Sequence, residues 1–451
     1  MKLKHILGLV LVSAVIFAGC GTKSPEKEAE KLPTIETKTI STTELSDNIG
    51  KADWMVVDTR SNDEYNGWSK EEYRGGHIKG ATDFSYNWLN AQAENKEERL
   101  EKALKEKGFE KDKNIVLYDS NEENAKKVAA YLDKQGYKNL YTYNVADWAK
   151  DESLPMESYE NYEMIVPAWW INDVINDKKP ETYTNNNFKV IEVSWGEDSP
   201  SYNEGHIPGA VHMNTDDLES APIWNRKSDA DLEKMAMDYG IDVNTTIILY
   251  GENPMASYRA AAILKYMGVK DIRVLNGGYN AWKNAGFKAE TKKNEKQPVE
   301  SFKATVPVNK DYIIDIDKAK EYLANDSKDT LVDIRTWEEY IGETPGYKDI
   351  DIAGRPPKAL WGKAGTNTQN LDDYRNVDDT MKNANDILNM WKEQGITPDK
   401  NLAFYCGTGW RAAEVLWYSE AMGLKKVSLY DGGWYEWIAD PSNPIEKGEP
   451  K

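Results

Sequence analysis

The sequence predicts an α/β protein built from three tandem domains, each with a mainly parallel sheet flanked by helices. One pattern of strands, turns and helices occurs three times along the 451 residues. Matching tyrosines, Tyr118, Tyr250 and Tyr405, lie 132 and 155 residues apart, a period typical of duplicated domains and too long for a solenoid. Strands that alternate with amphipathic helices favour a parallel sheet. A chain of this length is also too long for one core.

Each copy contains the same elements in the same order. A buried-strand pattern that carries an acidic residue opens the copy, as WMVVDTR, KVIEVSW or TLVDIRT. A turn follows, written GHIKGA, GHIPGA or AGRPPKALWG, and then a second strand, NIVLYD, TIILYG or NLAFYC. An alanine-rich helix, a short strand and a turn that leads to tryptophan complete the unit. We therefore expect domains at residues 36–157, 163–297 and 305–447.

Two histidines occupy the same turn in the first two copies. His77 and His206 each stand between glycine and isoleucine. Because the repeat fixes their place in a turn, we interpret them as structural residues that hold a loop. Most of the abundant aromatic residues are scattered at strand and helix spacing, which indicates core and inter-domain packing.

The N-terminus has the features of a secretion signal. MKLKH is basic, ILGLVLVSAVIFAG is an apolar run of signal-peptide length, and two small residues precede Cys20. This resembles the lipobox of bacterial lipoproteins, in which the cysteine is lipidated. We predict a signal peptide over 1–19, a polar tether over 20–35, and an extracytoplasmic protein anchored by lipid to the bacterial cell membrane. An ordinary secretory signal is the alternative.

Charge and cysteine content exclude several classes of function. The formal net charge is −19, which disfavours nucleic acid and anionic lipid surfaces as partners. An anionic substrate would therefore need a locally positive site. Cys20 and Cys406 are the only cysteines, so lipidation of the first leaves one thiol and no intramolecular disulfide. There is no CxxC pair, and we predict neither a metal site nor a cofactor.

The stretch YCGTGWRAAEV indicates a reactive thiol. Cys406 follows a predicted strand, at the edge of the sheet where α/β proteins bind ligands. Gly407 and Gly409 can adopt positive φ and let backbone N–H groups converge. The helix that begins near Arg411 adds a positive end, and its guanidinium adds a full charge. We therefore expect an anion-binding turn around a nucleophilic thiolate.

The alternative is that Cys406 is a small buried hydrophobic residue. The sister copies argue against it. They carry Asp119 and Gly251 in the cysteine position, and neither repeats the two-glycine spacing.

Together these motifs resemble the rhodanese domain. The resemblance rests on the strand–acid opening, GHIPGA, the six-residue loop headed by cysteine and the GG…W ending, and it extends from about Glu36 to Lys447. In the third copy, CGTGWR and the long insert that begins IGETPGYKDIDIAGRPPKALWG are similar to bacterial extracytoplasmic sulfurtransferases with three rhodanese domains and one active site.

The resemblance implies sulfur transfer through a persulfide on Cys406. The donor would be a small anion such as thiosulfate or 3-mercaptopyruvate, and the acceptor cyanide or a thiol. The persulfide would be held by the loop residues Gly407, Thr408, Gly409, Trp410 and Arg411. The first two domains would be inactive, forming a scaffold or a wall around the third site, and the protein would be a monomer.

Departures from the family pattern leave the donor open. Glu339 stands where two-domain thiosulfate enzymes commonly carry an arginine, and Arg355 replaces the histidine of GHIPG. Gly407 replaces a basic residue found in many thiosulfate enzymes. Besides Arg411, the candidates for holding an anionic donor are Arg335, Arg355 and Lys363. Arg335 is equally compatible with a structural role beside the strand acid.

Four other functions compete with this interpretation. Phosphatase-type loops place five residues between cysteine and arginine, whereas four separate Cys406 from Arg411, which makes a smaller cradle. A Cys–His acyl-transfer enzyme needs a base beside the thiol, and the third copy contains no histidine. A non-enzymatic surface binding protein, and a relay of sulfur or selenium to a protein partner, also stay open.

Overall fold

The computed structural model describes residues 35–450. The predicted signal peptide and the tether up to residue 34, including Cys20, lie outside these residues. None of the helices within 35–450 has the length and apolar character of a membrane span.

The first domain contains a five-stranded sheet and a second, two-stranded sheet. Its strands are β1 (Lys38–Thr39), β2 (Trp54–Asp58), β3 (His77–Ile78), β4 (Thr82–Asp83), β5 (Asn114–Asp119), β6 (Leu140–Asn144) and β7 (Met156–Glu157). Its helices are α1 (Thr42–Asn48), α2 (Asn62–Asn66), α3 (Tyr86–Asn90), α4 (Lys96–Glu106), α5 (Glu123–Lys134) and α6 (Val145–Ala149).

The second domain has a sheet of the same size and a hairpin. Its strands are β8 (Ile165–Val166), β9 (Phe188–Ser194), β10 (Val211–Asn214), β11 (Glu219–Ser220), β12 (Asn225–Arg226), β13 (Thr246–Tyr250) and β14 (Asp271–Leu275). Its helices are α7 (Ala168–Ile175), α8 (Pro200–Glu204), α9 (Asp229–Asp238), α10 (Pro254–Met267) and α11 (Gly278–Asn284). Short 3-10 turns occupy Tyr162–Met164 and Thr215–Asp217.

The third domain completes the series. Its strands are β15 (Ile313–Ile314), β16 (Asp329–Asp333), β17 (Leu360–Trp361), β18 (Asn401–Tyr405) and β19 (Val427–Tyr430). Its helices are α12 (Ile316–Ala324), α13 (Trp337–Ile341), α14 (Ala384–Glu393), α15 (Trp410–Ala421) and α16 (Gly433–Ala439).

The three large sheets have one topology, which confirms the predicted α/β fold. Their strand orders are β1-β6-β5-β2-β4, β8-β14-β13-β9-β10 and β15-β19-β18-β16-β17, and every neighbouring pair is parallel. The central strands are almost wholly buried, as expected where helices cover both faces of a sheet. In the third sheet Asp333 of β16 pairs in register with Tyr405 of β18. The strand acid therefore lies beside the residue that precedes Cys406.

The turn histidines hold their loops, as predicted. The Nδ1 atoms of His77 and His206 lie 2.8 and 2.7 Å from the carbonyl oxygens of Tyr65 and Tyr202. Each imidazole also stacks on the ring of that tyrosine, with centroids 3.8 Å apart.

The second and third domains share a continuous core. Helices α10 and α15 pack against each other, and one cluster of buried apolar side chains extends from Tyr65 through the second domain to Leu429. The first domain joins through apolar contacts of Tyr65 and Trp68 and through polar contacts. Lys107 lies between Asp83 of its own domain and Asp386 of the third, 2.6 and 2.5 Å from their carboxylate oxygens.

Candidate active site

The candidate site is the turn between β18 and α15. Cys406 follows β18 directly, and its Sγ accepts the N–H of Gly409 at 3.2 Å. Gly409 is the N-cap of α15, and no side chain caps this helix. The first-turn N–H groups of a helix lack intrahelical partners. The sulfur therefore lies at the uncapped, electropositive end of a twelve-residue helix.

The two loop glycines are needed for different reasons. Gly409 has φ of 92°, a left-handed conformation that favours glycine. Gly407 was expected to use positive φ as well, but it is absent from the positive-φ residues of the described chain. A Cβ at Gly407 would collide with the ring and hydroxyl of Tyr347. Close packing of this tyrosine, which the sequence did not indicate, therefore excludes a side chain there.

The GG…W ending of the third copy supports the loop from below. The backbone N–H of Trp434 donates to the carbonyl of Cys406 at 2.8 Å, and that of Tyr435 donates to the carbonyl of Gly407 at 3.3 Å. Gly433 has φ of 52°, and a Cβ there would overlap the Cys406 carbonyl oxygen. This motif is therefore part of the active-site architecture.

Arg411 is paired rather than free. Its Nη1 and Nη2 donate to the two carboxylate oxygens of Glu339 at 2.8 and 3.0 Å, and Nη2 also donates to the Tyr347 hydroxyl at 3.1 Å. Burial alone would raise the pKa of Glu339, but the contact with Arg411 outweighs it and holds that pKa below its usual value. The positive charge predicted for the loop is thus largely offset by a carboxylate.

Cys406 lines a cavity of about 500 Å³ between the second and third domains. Its lining is rich in aromatic side chains and carboxylates. The second domain contributes the ends of β9 and β11, the β11–β12 hairpin and the loop before α10, and the third contributes the Cys406 loop and parts of its insert. The aromatic residues are Trp195, Trp224, Tyr347, Trp410 and Tyr435, and the acidic ones are Glu219 and Asp349.

The charged groups of this lining are paired or hydrogen-bonded, Glu219 with Arg259 and Asp349 with the Tyr435 hydroxyl, so its aromatic faces are the feature that favours a cation. Arg411 is the only basic residue among those that line the cavity in the described part of the chain, and Glu339 pairs with it. Trp195 is 67% exposed, which presents its indole to a ligand. Aromatic faces with nearby carboxylates are typical of sites for quaternary ammonium groups. The prediction that most aromatic residues serve packing allows such exceptions, and these five line the cavity.

Three predicted anion-binding residues are absent from the lining of the cavity. Arg335 is fully buried and forms a bidentate pair with Asp333, at 2.8 and 2.6 Å. Arg355 stacks over the ring of Tyr340 and donates to its carbonyl at 3.1 Å, as the histidines do in the sister domains. Lys363 lies 3.7 Å from a Glu393 oxygen. For Arg335 the structural alternative holds, and the donor-binding assignments of Arg355 and Lys363 are corrected, because neither lines the cavity.

The described residues contain no cluster of three or more His, Cys, Asp or Glu groups that could hold a metal ion. The only free thiol within 35–450 is Cys406.

A family model for the Rhodanese-like domain matches residues 41–148, 177–285 and 315–440. The chain belongs to the rhodanese family. It is a rhodanese-like sulfurtransferase with three domains, consistent with its relatives. Thiosulfate sulfurtransferase YnjE of Escherichia coli is 37% identical over 415 residues, 91% of this chain and 92% of that protein. Sulfur carrier protein TtuD of Thermus thermophilus is 32% identical over 310 residues, 64% of this chain and 99% of that protein.

Solved structures resemble this rhodanese over nearly its whole length. The wild-type structure of EanB has a TM-score of 0.88 and 37% identity, covering 93% of this chain and all of that one. The anaerobic ergothioneine biosynthesis enzyme from Chlorobium limicola, in complex with its natural substrate trimethyl histidine, matches with the same TM-score and identity, over 92% of this chain and all of that one.

One EanB structure carries a persulfide on a cysteine 59 residues after a substituted tyrosine. In this rhodanese Tyr347 lies 59 residues before Cys406.

Proposed function

We propose that this rhodanese transfers sulfane sulfur through a persulfide on Cys406. The observation that carries the proposal is the position of the Cys406 sulfur, which accepts the Gly409 N–H at the uncapped start of α15 and lines the inter-domain cavity. A helix N-terminus stabilises an anion, whether thiolate or persulfide.

The reaction has two steps that return the enzyme unchanged. The Cys406 thiolate attacks the outer sulfur of a donor such as thiosulfate, so that a new S–S bond forms, the donor S–S bond breaks and sulfite leaves. With 3-mercaptopyruvate as the donor, the bond that breaks is the C–S bond, and pyruvate leaves as its enolate and takes up a proton. An acceptor then attacks the outer sulfur, the Cys406 S–S bond breaks and the thiolate is regenerated. With cyanide the product is thiocyanate, and with a thiolate it is a new persulfide.

Intact-mass spectrometry tests this proposal. We expect the wild-type protein to gain one sulfur atom on exposure to thiosulfate, 3-mercaptopyruvate or polysulfide, and to lose it when cyanide is added. The Cys406→Ser variant is the control and should gain none. If no donor adds sulfur to Cys406, the persulfide proposal is wrong and the non-enzymatic binding function is favoured.

A second candidate acceptor follows from the lining of the cavity. Trp195, Trp224 and Tyr435 with Glu219 and Asp349 form a lining suited to a trimethylammonium group. Trimethyl histidine is the natural substrate of the anaerobic ergothioneine biosynthesis enzyme, whose solved structure is similar. In this version an imidazole C–H bond is replaced by a C–S bond, the Cys406 S–S bond breaks, and the proton passes to solvent or to nitrogen.

Binding measurements separate this candidate from cyanide or thiol acceptors. We expect trimethyl histidine to bind more tightly than histidine, because both carry a cationic nitrogen at neutral pH but only the trimethylammonium group has no N–H groups to desolvate against aromatic faces. We expect Trp195→Ala to remove the difference. A sulfur-containing product after incubation with polysulfide would establish the acceptor. Equal affinity for both ligands would exclude trimethyl histidine as the acceptor, but it would leave the formation of the Cys406 persulfide unaffected.

We also propose that this rhodanese acts outside the cytoplasm as a lipid-anchored monomer. The support is the sequence before and after Cys20. Metabolic labelling with a fatty acid, compared between the wild type and Cys20→Ala, tests the anchor: label in the wild type alone is expected, and label in neither would leave an ordinary secretory signal. Sedimentation would give the oligomeric state.

A further inference from the structure

Helix α10 of the second domain carries a buried arginine, Arg259, where the matching helix of the third domain has a glutamate. The offset of 155 residues between Tyr250 and Tyr405 holds through the helix that follows, and it aligns Arg259 of α10 with Glu414 of α15 and Ala256 with Arg411. These two helices pack against each other. Both arginines are fully or almost fully buried, at 0% and 1% exposed.

The residue that holds Arg411 is missing from the second domain. Tyr340 and Tyr202 are structurally equivalent, because each donates its hydroxyl to the carbonyl of the alanine that follows its turn. The residue before Tyr340 is Glu339, which pairs with Arg411, whereas the residue before Tyr202 is Ser201. A serine cannot neutralise a guanidinium. The second domain thus has neither the loop arginine, whose position Ala256 occupies, nor the glutamate that pairs with it.

Arg259 forms a network that crosses to the third domain. Its Nε donates to Oε2 of Glu219 at 2.9 Å, and its Nη2 lies 2.7 Å from Oδ1 of Asp431, in the turn below the Cys406 loop. Arg226 of the hairpin also donates to Asp431, at 2.9 Å. Burial alone would raise the pKa of Asp431, but the two arginines outweigh it and hold that pKa below its usual value.

The network reaches the loop at two adjacent residues. Oε1 of Glu219 accepts the indole N–H of Trp410 at 2.6 Å. A Cβ built on Gly409 would lie 2.8 Å from Nη1 of Arg259, so the guanidinium lies directly against Gly409, whose N–H contacts the Cys406 sulfur. Nη1 has no hydrogen-bond partner among the residues that the structure describes. A positive charge with an unused donor thus lies beside the loop.

We propose that Arg259, contributed by the second domain, is a positioning residue of the Cys406 loop. It acts through Gly409 and, by way of Glu219, through Trp410, and its charge favours the anionic sulfur. The expected change in turnover rests on the proposed persulfide function. The expected effect of Arg259 on the Cys406 thiolate does not depend on that function. It makes the second domain necessary for the chemistry of the third.

The test compares Arg259→Gln with the wild type in a chain carrying Cys20→Ser, where Cys406 is the only thiol. Alkylation of Cys406 by iodoacetamide is followed by mass spectrometry across a pH series. Without Arg259, only Arg226 offsets the negative charges of Glu219 and Asp431. The thiolate of Cys406, which is the form that iodoacetamide alkylates, is then less stable, so we expect half-maximal alkylation to move to higher pH. We expect kcat for thiosulfate to fall about 100-fold with KM little changed, as for a misplaced catalytic group.

Arg60→Gln is the matched control. Arg60 is 2% exposed and pairs with Asp58 through Nε and Nη2 at 3.0 and 2.6 Å, but it lies in the first domain. We expect this variant to lose stability without any shift in the alkylation curve. Arg259→Lys should keep the curve near that of the wild type and recover part of kcat, because it retains the charge but not the planar fork.

Two milder variants serve if Arg259→Gln does not fold. Trp410→Phe removes only the indole N–H, and Glu219→Gln removes only the charge that binds Arg259; both should lower kcat in the same direction. A folded Arg259→Gln with wild-type alkylation and turnover would overturn the inference, as would wild-type kcat in both milder variants. Shifted alkylation in a protein whose wild type forms no persulfide would uphold the inference and overturn the persulfide proposal.

Discussion

The second and third domains place the same strand, turn and helix at two facing positions, yet only one turn can hold a sulfur anion. In the third domain α15 begins at an uncapped Gly409, and its amide contacts the Cys406 sulfur. In the second domain α10 begins with Pro254, and the side chain of Asn253 accepts the N–H of Met255 at 3.2 Å. The protein's own side chain thus occupies the position that an anion would take.

The comparison shows that the two turns differ in more than one residue. The second domain lacks the thiol, the uncapped helix and the glutamate that pairs with the loop arginine. Its remaining parts form the opposite wall of the cavity, through Trp195, Trp224 and Glu219. The second copy is therefore a component of the candidate site rather than a separate scaffold.

The largest expected effect comes from removing the sulfur of Cys406, which the matching turn of the second domain lacks. Cys406→Ser should reduce sulfur transfer to the uncatalysed background, because a hydroxyl cannot carry the persulfide. The free energy of unfolding should change by about 1 kcal/mol or less, since a serine hydroxyl can accept the same Gly409 N–H that the Cys406 sulfur accepts. Thiocyanate formation and urea denaturation measure the two quantities. Turnover above background in the serine variant would refute the mechanism.

Removing the pair that distinguishes the third domain should have the next largest effect. Glu339→Gln leaves the buried Arg411 without its counter-charge, and breaking such a pair typically costs about 3–5 kcal/mol. We expect a corresponding loss in the free energy of unfolding and reduced turnover. Ser201→Ala, at the matching position of the second domain, is the control and should cost much less. Equal losses in the two variants would show that the pairing is not what separates these domains.

The junction of all three domains offers a pH-dependent comparison. Asp63 of the first domain accepts the side-chain N–H of Asn276 of the second at 2.8 Å, and Asp378 of the third lies near enough to interact by charge. Burial raises the pKa of Asp63 to about 7 and that of Asp378 to about 6. The folded protein therefore binds more protons than the unfolded chain between about pH 4 and pH 7, and its stability should fall as pH rises through that window.

Asp63→Asn should flatten this dependence and raise the free energy of unfolding at pH 7.5 by at most about 4 kcal/mol, since one pKa unit corresponds to about 1.4 kcal/mol. Urea denaturation at pH 5 and pH 7.5 measures the change. The exposed Asp112→Asn serves as control and should behave as the wild type. An unaltered pH dependence in Asp63→Asn would show that this carboxyl is not the group responsible.

The smallest effect is expected where the third domain differs from its sisters only in a structural contact. Arg355→His should restore the stack and the carbonyl contact seen for His77 and His206, with a change of about 1 kcal/mol or less in the free energy of unfolding. The KM for thiosulfate should stay unchanged, because Arg355 is absent from the lining of the cavity. A raised KM in this variant would indicate that Arg355 does contribute to binding the sulfur donor.

The fold was predictable because the repeat fixes it. Apolar strands, alanine-rich helices and turns recur in the same order, and parallel sheets bury their strands on both faces. Within the site, the sequence identified Cys406 and the six-residue loop, since a thiol before two glycines and an arginine has few structural explanations. The helix was placed one residue late, because it begins at Trp410 rather than near Arg411.

The rest of the site depends on contacts between distant segments. Tyr347 lies 59 residues before Cys406, and Glu219 lies in another domain, so no local pattern links them to the loop. The pairing of Arg411 with Glu339 could have been found: Glu339 was noted as a departure from the family pattern, and an acid at that point offers a partner for the loop arginine. The misassigned Arg355 shows that a cation in a motif says little until its counter-charge is known.

The continuous core shared by the second and third domains has an evolutionary consequence. Buried side chains from Ile165 to Leu429 belong to one apolar cluster, so cutting the chain between these repeats would expose surface on both sides. The duplicated units are no longer interchangeable modules that can be shuffled or shed. Because each covers part of the other's core, we expect the two domains to unfold together.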